Sequence, residues 1–192
     1  MKRTLLTLGL AIGLALPLAA QNVPPTYVTQ SASGTTTAIV YFATSPAQQC
    51  RIVQTVASSD LASANILLST GVTPLTITKS NALGTTIDVA YTNGFTVGDI
   101  CLIEKASGVI TNMQIASFTG STNIVFSGNI PQTLVGDQVY KLSTPVKFWV
   151  GVFTNRAMAG DAIFVGNRGR PVQVLVNGTS ACSLDAITGR YE

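Results

Sequence analysis

What most constrains this chain is a succession of short runs rich in Val, Ile, Thr and aromatic residues, each closed after a few positions by turn-forming residues. The first runs are TTAIVYFA (36–43), QCRIVQTV (49–56), ANILLS (64–69), PLTIT (74–78) and TIDVAY (86–91). ICLIEK (100–105), VITNMQIAS (109–117), NIVFS (123–127), QVYKL (138–142), VKFWVGVF (146–153), AIFV (162–165) and PVQVLV (171–176) follow. Pairs such as Asn93-Gly94, Ser107-Gly108, Gly120-Ser121 and Asn177-Gly178 separate them. β-branched and aromatic side chains fit a pleated surface, whereas Gly and Asn turn the chain at low steric cost. Strands spaced at roughly 8–12 residues predict an all-β fold, an antiparallel β-sandwich or one or more small β-barrels.

Alternation refines that expectation. Val109, Thr111, Met113 and Ile115 fall on one face, with Asn112 and Gln114 on the other. Val172, Val174 and Val176 oppose Gln173, and Cys50, Ile52 and Val56 are expected to share a face. Period-2 patterning of this kind belongs to antiparallel strands with one wet side. A single helical turn is expected at residues 59–63, capped by Ser58 or Ser59.

The N-terminus reads as an export signal. Lys2 and Arg3 precede an uncharged run from Thr4 to Leu16, and Pro17-Leu18-Ala19-Ala20 closes it before Gln21. That is the charged, apolar and cleavage-site order of a secretory signal peptide, here residues 1–20. The run is shorter than the ~20 apolar residues a spanning helix needs. No Cys follows it to carry a lipid, and no second apolar segment long enough to span a membrane follows. The mature protein is therefore expected to be secreted, or held in the periplasm or outer envelope. Residues 21–35 form an extended leader containing Pro24-Pro25, and residues 36–192 a β domain. That domain can be read as two related β units, about 36–145 and 146–192.

Removing the signal takes away two of eleven basic residues and none of eight acidic ones, leaving nine against eight. The near-neutral remainder has no basic tract beyond Arg168 and Arg170, so nucleic-acid binding lacks its electrostatic footprint. Only 10% of residues are charged against 46% hydrophobic, and Ser, Thr, Asn and Gln supply the polarity. Such an uncharged exterior suits a protein that lies against copies of itself or another surface.

Enzyme chemistry has few footholds. There is no histidine, which removes Ser-His-Asp and Cys-His sites, His-ligated zinc and the commonest general base. The cysteines, Cys50, Cys101 and Cys182, are far apart in sequence. In an oxidising compartment they suggest one disulfide, Cys50–Cys182, with Cys101 a buried free thiol; three small core residues are the alternative. The acids are scattered, and Glu104 is the one without an obvious turn role. It reads as a solvated strand residue or a surface partner of Lys105. A two-carboxylate hydrolase would need two of these acids together in one cleft, and nothing in their spacing points to that. No metal or cofactor is expected.

A short motif recurs: TNGFTVGDICLI (92–103), LVGDQVYKL (134–142) and TNRAMAGDAIFV (154–165). Gly98-Asp99, Gly136-Asp137 and Gly160-Asp161 read as strand-entry turns, Gly supplying the conformation and Asp capping backbone N–H groups. A Ca²⁺ site built from the three Asp residues is the alternative, but calcium loops cluster their ligands in sequence. The C-terminal stretch, with short strands entered through such turns, resembles the small β-barrels of virion decoration and tail proteins. That resemblance implies a structural role, whereas the export signal argues against a virion part assembled in the cytoplasm.

Three places could bind. Trp149, the single Trp, is an anchor for sugars or partners if exposed, and a core residue if buried. Arg168 and Arg170 concentrate charge on a loop, as a solvated turn tip or as a grip for anions. Asn177-Gly178-Thr179 fits a glycosylation sequon, although a hairpin turn is the preferred reading. The expected function is that of a non-enzymatic exported β protein acting by surface contact: structural, adhesive or self-assembling. A carbohydrate- or polymer-binding module is the alternative.

Overall fold

The computed structural model describes residues 24–192, and the expected signal peptide lies outside the described residues. Among the described residues every regular element is a strand. In order these are β1 (Thr26–Gly34), β2 (Thr37–Phe42), β3 (Cys50–Lys79), β4 (Gly84–Val89), β5 (Ile100–Glu104) and β6 (Ile110–Phe118). β7 (Asn123–Ile130), β8 (Gln138–Leu142), β9 (Val146–Val165), β10 (Val172–Gly178) and β11 (Cys182–Tyr191) complete the chain. All their pairings are antiparallel.

The registers build both expected architectures. β3 runs between β9 on one side and the collinear β10 and β11 on the other. β10 then pairs with β2, and β11 with β1. One half is thus ordered β1–β11–β3–β9 and the other β2–β10–β3–β9, all four long ribbons turning at the same level. This is a sheet folded into a two-layered sandwich, with the pairing order of a jelly roll. Its core includes Val40, Phe42, Ile52, Ile66, Leu68, Val174, Leu184 and Ile187, drawn from both halves. β1, which lies within the expected leader, pairs with β11 from Thr26↔Tyr191 to Gly34↔Cys182.

Beyond residue 70, β3 leaves the sandwich and enters a second structure. Its residues 71–76 pair with β8, and Ile77 and Lys79 with β4. The circuit β3–β8–β5–β6–β7–β4–β3 closes a six-stranded barrel. Closure leaves the barrel no open edge. Inward residues Ile77, Ile87, Cys101, Ile103, Ile115, Ile124, Phe126 and Val139 fill it. Each such side chain contributes about 1.5–3 kcal/mol on burial.

Several local expectations give way to tertiary pairing. Residues 59–63 are strand, not helix: Ser59 pairs with Cys182 and its Oγ donates to the Phe153 carbonyl, while the Asp60 N–H donates to Ala181 O at 3.1 Å. One isolated helical turn gains a single hydrogen bond, whereas here Ser59 joins the ladder to β11 and Ala62 and Ser63 the ladder to β9. The Cys50, Ile52, Val56 face also breaks. β3 has register shifts around Val53 against both β9 and β11, so burial passes to Thr55, Ala57 and Ser59 and leaves Val56 partly exposed. Asn177-Gly178 is no hairpin turn; Asn177 pairs with Thr37 and Asn65 inside the ladder.

The disulfide expectation is corrected by the same registers. Cys50 lies opposite Tyr191 and Cys182 opposite Ser59, at the two ends of β11. Nine residue steps along β11 separate those ends by about 30 Å, far beyond the Cα spacing of a disulfide, about 4.4–6.8 Å. All three thiols are free and buried. Burial pushes Cys50 and Cys101 up to about 12, so neither is a thiolate at neutral pH.

Candidate functional site

The barrel leans its outer wall on the sandwich. On β5, Cys101 and Ile103 point into the barrel, and Leu102 and Glu104 on the other side are buried too. Asn112 of β6 donates through Nδ2 to Gln173 Oε1 of β10 at 2.9 Å and bonds the Tyr41 hydroxyl. Gln173 is 4% exposed because this contact covers the outer face of β10. Arg170 holds its guanidinium carbon 5.6 Å from the centre of the Tyr140 ring.

Where the two structures diverge they leave an open cleft of about 490 Å³. Thr44, Pro46 and Gly169 line its sandwich side, and Glu104, Gln138 and Tyr140 its barrel side. Glu104 is only 9% exposed, not solvated, and does not pair with Lys105. Its carboxylate accepts from the Tyr140 hydroxyl and the Thr44 backbone N–H, tying β5 to the loop after β2. Burial raises the Glu104 pKa, only partly offset by those two bonds. Burial and the Glu104 charge together push Tyr140 up to about 12. Among the described residues Glu104 is the sole carboxylate lining the cleft. A two-carboxylate mechanism would need another.

A raised carboxyl pKa means that the folded state binds a proton more readily than the unfolded one. Stability linked to Glu104 is therefore greatest below the ordinary value of 4.5 and is lost as pH rises through the raised folded value. The isostere Glu104→Gln removes this dependence: we expect unfolding midpoints that flatten between acid and neutral pH, with no loss at neutrality. A steeper loss of stability in the variant above pH 4.5 would contradict that assignment.

The recurring Gly-Asp motif divides. Gly98 and Gly136 have φ of 92° and 97°, and each following Asp N–H closes a turn onto the carbonyl three residues earlier. Asp99 Oδ2 accepts the Thr96 N–H at 2.7 Å, and Asp137 Oδ2 accepts the Leu134 N–H at 2.8 Å. Asp137 also accepts the Ala106 N–H at 3.1 Å, fastening two loops together. Burial is the largest single influence on Asp99 and pushes its pKa up, but Lys141, 2.7 Å away, and the Thr96 hydrogen bonds together outweigh it and hold the pKa down. The third copy is not a turn. Gly160 and Asp161 lie exposed inside β9, where residues 159 and 164 oppose 54 and 52, leaving a bulge. Asp99 and Asp137 enter the antiparallel neighbours β5 and β8 at opposite ends of the barrel, so the three acids share no metal site.

The remaining candidates lie apart. Trp149 is half-buried against the sandwich core, with the Arg156 guanidinium 3.7 Å from its ring centre. A register shift between Ile66 and Leu67 lets both Phe148 and Trp149 pack on that core, breaking the expected alternation. Arg168 is exposed and donates to Ala47 O at 3.1 Å, while Arg170 covers Tyr140. Their loop is latched by Gly169 N–H to Gln48 O at 2.7 Å, with Gly169 at φ 65°.

A further feature, an open sheet edge, has no local signal in the sequence. Among the described residues β9 pairs with β3 alone, so no described strand covers the other edge of its 20 residues. It exposes Val146, Val150, Val152, Met158 and Val165, each more than two-fifths accessible. Its charges are Lys147, Arg156 and Asp161. Long edges with few charges are templates for pairing with another strand.

No family model and no curated protein matches the chain. Among solved structures it is similar to VP17, a capsid protein of bacteriophage P23-77, at 10% identity over 87% of this chain and 97% of that one, with a TM-score of 0.20. It is also similar to the infectious bursal disease virus VP2 subviral particle at 12% identity over 88% of this chain, with a TM-score of 0.16. A structure of the Gx strain of that virus gives 12% identity, 88% coverage and a TM-score of 0.14. The chain spans 41% and 42% of the two latter chains. Likeness at this distance carries no part of the functional reading, which rests on strand registers and surface.

Proposed function

We propose that this chain is a non-enzymatic structural β protein, exported from the cell that makes it, which acts by surface contact and associates with copies of itself. The observation that supports this reading is the uncovered β9 edge with its exposed valines. A second strand added there would satisfy backbone groups and bury those side chains together. The low charge of the exterior removes the repulsion that would otherwise oppose it. Export rests on the charged, apolar and small-residue order of residues 1–20. Against catalysis stand the lack of histidine and a cleft with one carboxylate among the described residues. Polymer binding through Trp149 is disfavoured because that ring is half-buried beneath Arg156.

Light scattering of residues 21–192 across a wide concentration range tests the reading. An oligomer is expected, and V150K/V152K should weaken it by about tenfold or more while leaving thermal unfolding unchanged, because both positions are exposed. A wild-type monomer at every concentration would remove self-association from the account.

A further inference from the structure

The chain contains two Asn-Gly dipeptides, Asn93-Gly94 and Asn177-Gly178, and the fold treats them in opposite ways. Asn-Gly is the dipeptide in which a backbone nitrogen most readily attacks the preceding side chain, because glycine adds no steric shield. The reaction requires that nitrogen to be free and the Asn backbone to rotate toward its own side chain.

At Asn177 both requirements fail. Asn177 is held between Thr37 and Asn65 in a central ladder, and the Gly178 N–H donates to Thr36 O at 2.8 Å. The next residue is fastened as well, Thr179 N–H to Ser63 O at 3.1 Å. At Asn93 the nitrogen is free and no ladder opposes the rotation. Asn93 and Gly94 are exposed and outside any strand, in a turn closed by one bond, Phe95 N–H to Thr92 O at 3.2 Å. Neither the Gly94 N–H nor the Asn93 side chain has a hydrogen-bond partner among the described residues. Gly94 has φ of 90°, a region in which only the lack of a side chain makes the turn cheap.

We infer that Asn93 is a site of spontaneous, water-consuming self-modification, and that the strand around Asn177 protects the second copy of the same dipeptide. The Gly94 nitrogen attacks Asn93 Cγ, forming an N–Cγ bond; the Cγ–Nδ2 bond breaks, and the nitrogen's proton is passed through solvent to the departing ammonia. Water then opens the five-membered imide at either carbonyl, giving aspartate or its isomer in which the chain runs through the side-chain carboxyl. No oxidant or reductant is involved.

The position gives the change a structural meaning. A Cβ on Gly94 would stand 3.1 Å from Thr73 Cγ2, so this turn braces β3 where the strand shifts register between Val72 and Pro74. Thr73 itself holds φ of 45°. Conversion adds a negative charge there, and the isomer adds a backbone atom, beside the point where β3 passes from sandwich to barrel.

The test is peptide mass mapping of residues 21–192 during incubation at mildly alkaline pH, folded and in denaturant. In the folded protein Asn93 is expected to convert at least about tenfold faster than Asn177, whose reaction must await local opening of the ladder. In denaturant the two rates should converge, since both sites then present the same dipeptide. Equal rates in the folded protein overturn the inference. So does an Asn93 that stays intact while the denatured chain converts.

Discussion

Phe42→Ala will lower the stability of the folded protein by about 3–5 kcal/mol, the upper range for truncating a buried aromatic. Phe42 is fully buried at the end of β2, and its ring fills space that any side chain at position 189 would need. A Cβ on Gly189 would come within 2.7 Å of Phe42 Cδ1 and 3.0 Å of Cys50 Sγ. The ring therefore occupies the gap between the two halves of the folded sheet, and Gly189 has no side chain to relax into the cavity left behind. A domain's whole stability is about 5–15 kcal/mol, so the loss should be plain in a denaturant midpoint. Gly189→Ala alone should cost about 1–3 kcal/mol through overpacking. Combined with Phe42→Ala it should cost less than the sum, because the new methyl meets a void instead of a ring. Strict additivity would show that the ring and the glycine do not share that space.

Asp137→Ala and Asp161→Ala will have very different effects although the two residues stand in the same Gly-Asp motif. Asp137 is 3% exposed and accepts backbone N–H groups from two separate loops. Removing it strands both donors, at about 1–3 kcal/mol for each that stays buried. Asp161 is exposed in the β9 bulge with no hydrogen bond or ion pair among the described residues, so its loss should fall within about 0.5 kcal/mol of wild type. Chemical denaturation of the two single variants separates them. Comparable losses would mean that position 161 is held by contacts like those at 137.

That contrast marks how far the sequence could be read. All-β character, turn positions and the sandwich or barrel alternatives were legible, because they depend on local composition and period-2 alternation. The Gly98 and Gly136 turns were legible for the same reason. What failed was whatever depends on the neighbour across the ladder. Gly160-Asp161 has a turn's residues but lies in a bulge of β9, between Ala159 and Phe164, which pair with β3. Residues 59–63 carry helix-capping serines but lie between β9 and the corner where β10 gives way to β11. The Cys50–Cys182 pairing looked plausible in sequence and is undone by a register that puts the two at opposite ends of one strand.

The candidate site was less legible than the fold. Glu104 stood out as the acid without a turn role, but its partners Tyr140 and Thr44 lie on other strands and loops, with no spacing to betray them. The β9 edge was hidden by its own sequence. VKFWVGVF resembles a strand buried on both sides, and only the sheet order shows that one of its flanks has no neighbour among the described strands.

β3 is common property of the sandwich and the barrel, a single 30-residue strand that belongs to both. A pull on the barrel therefore enters the sandwich along β3, beside the short link of residues 143–145 from β8 into β9, and reaches its middle, where β9 flanks β3 on one side and β10 and β11 on the other. Drawing it out would load those two ladders lengthwise, many bonds sharing the tension at once, instead of peeling them open from an end. On the proposed role at a surface, the same connection would let the molecule bear traction at its barrel without first shedding that barrel.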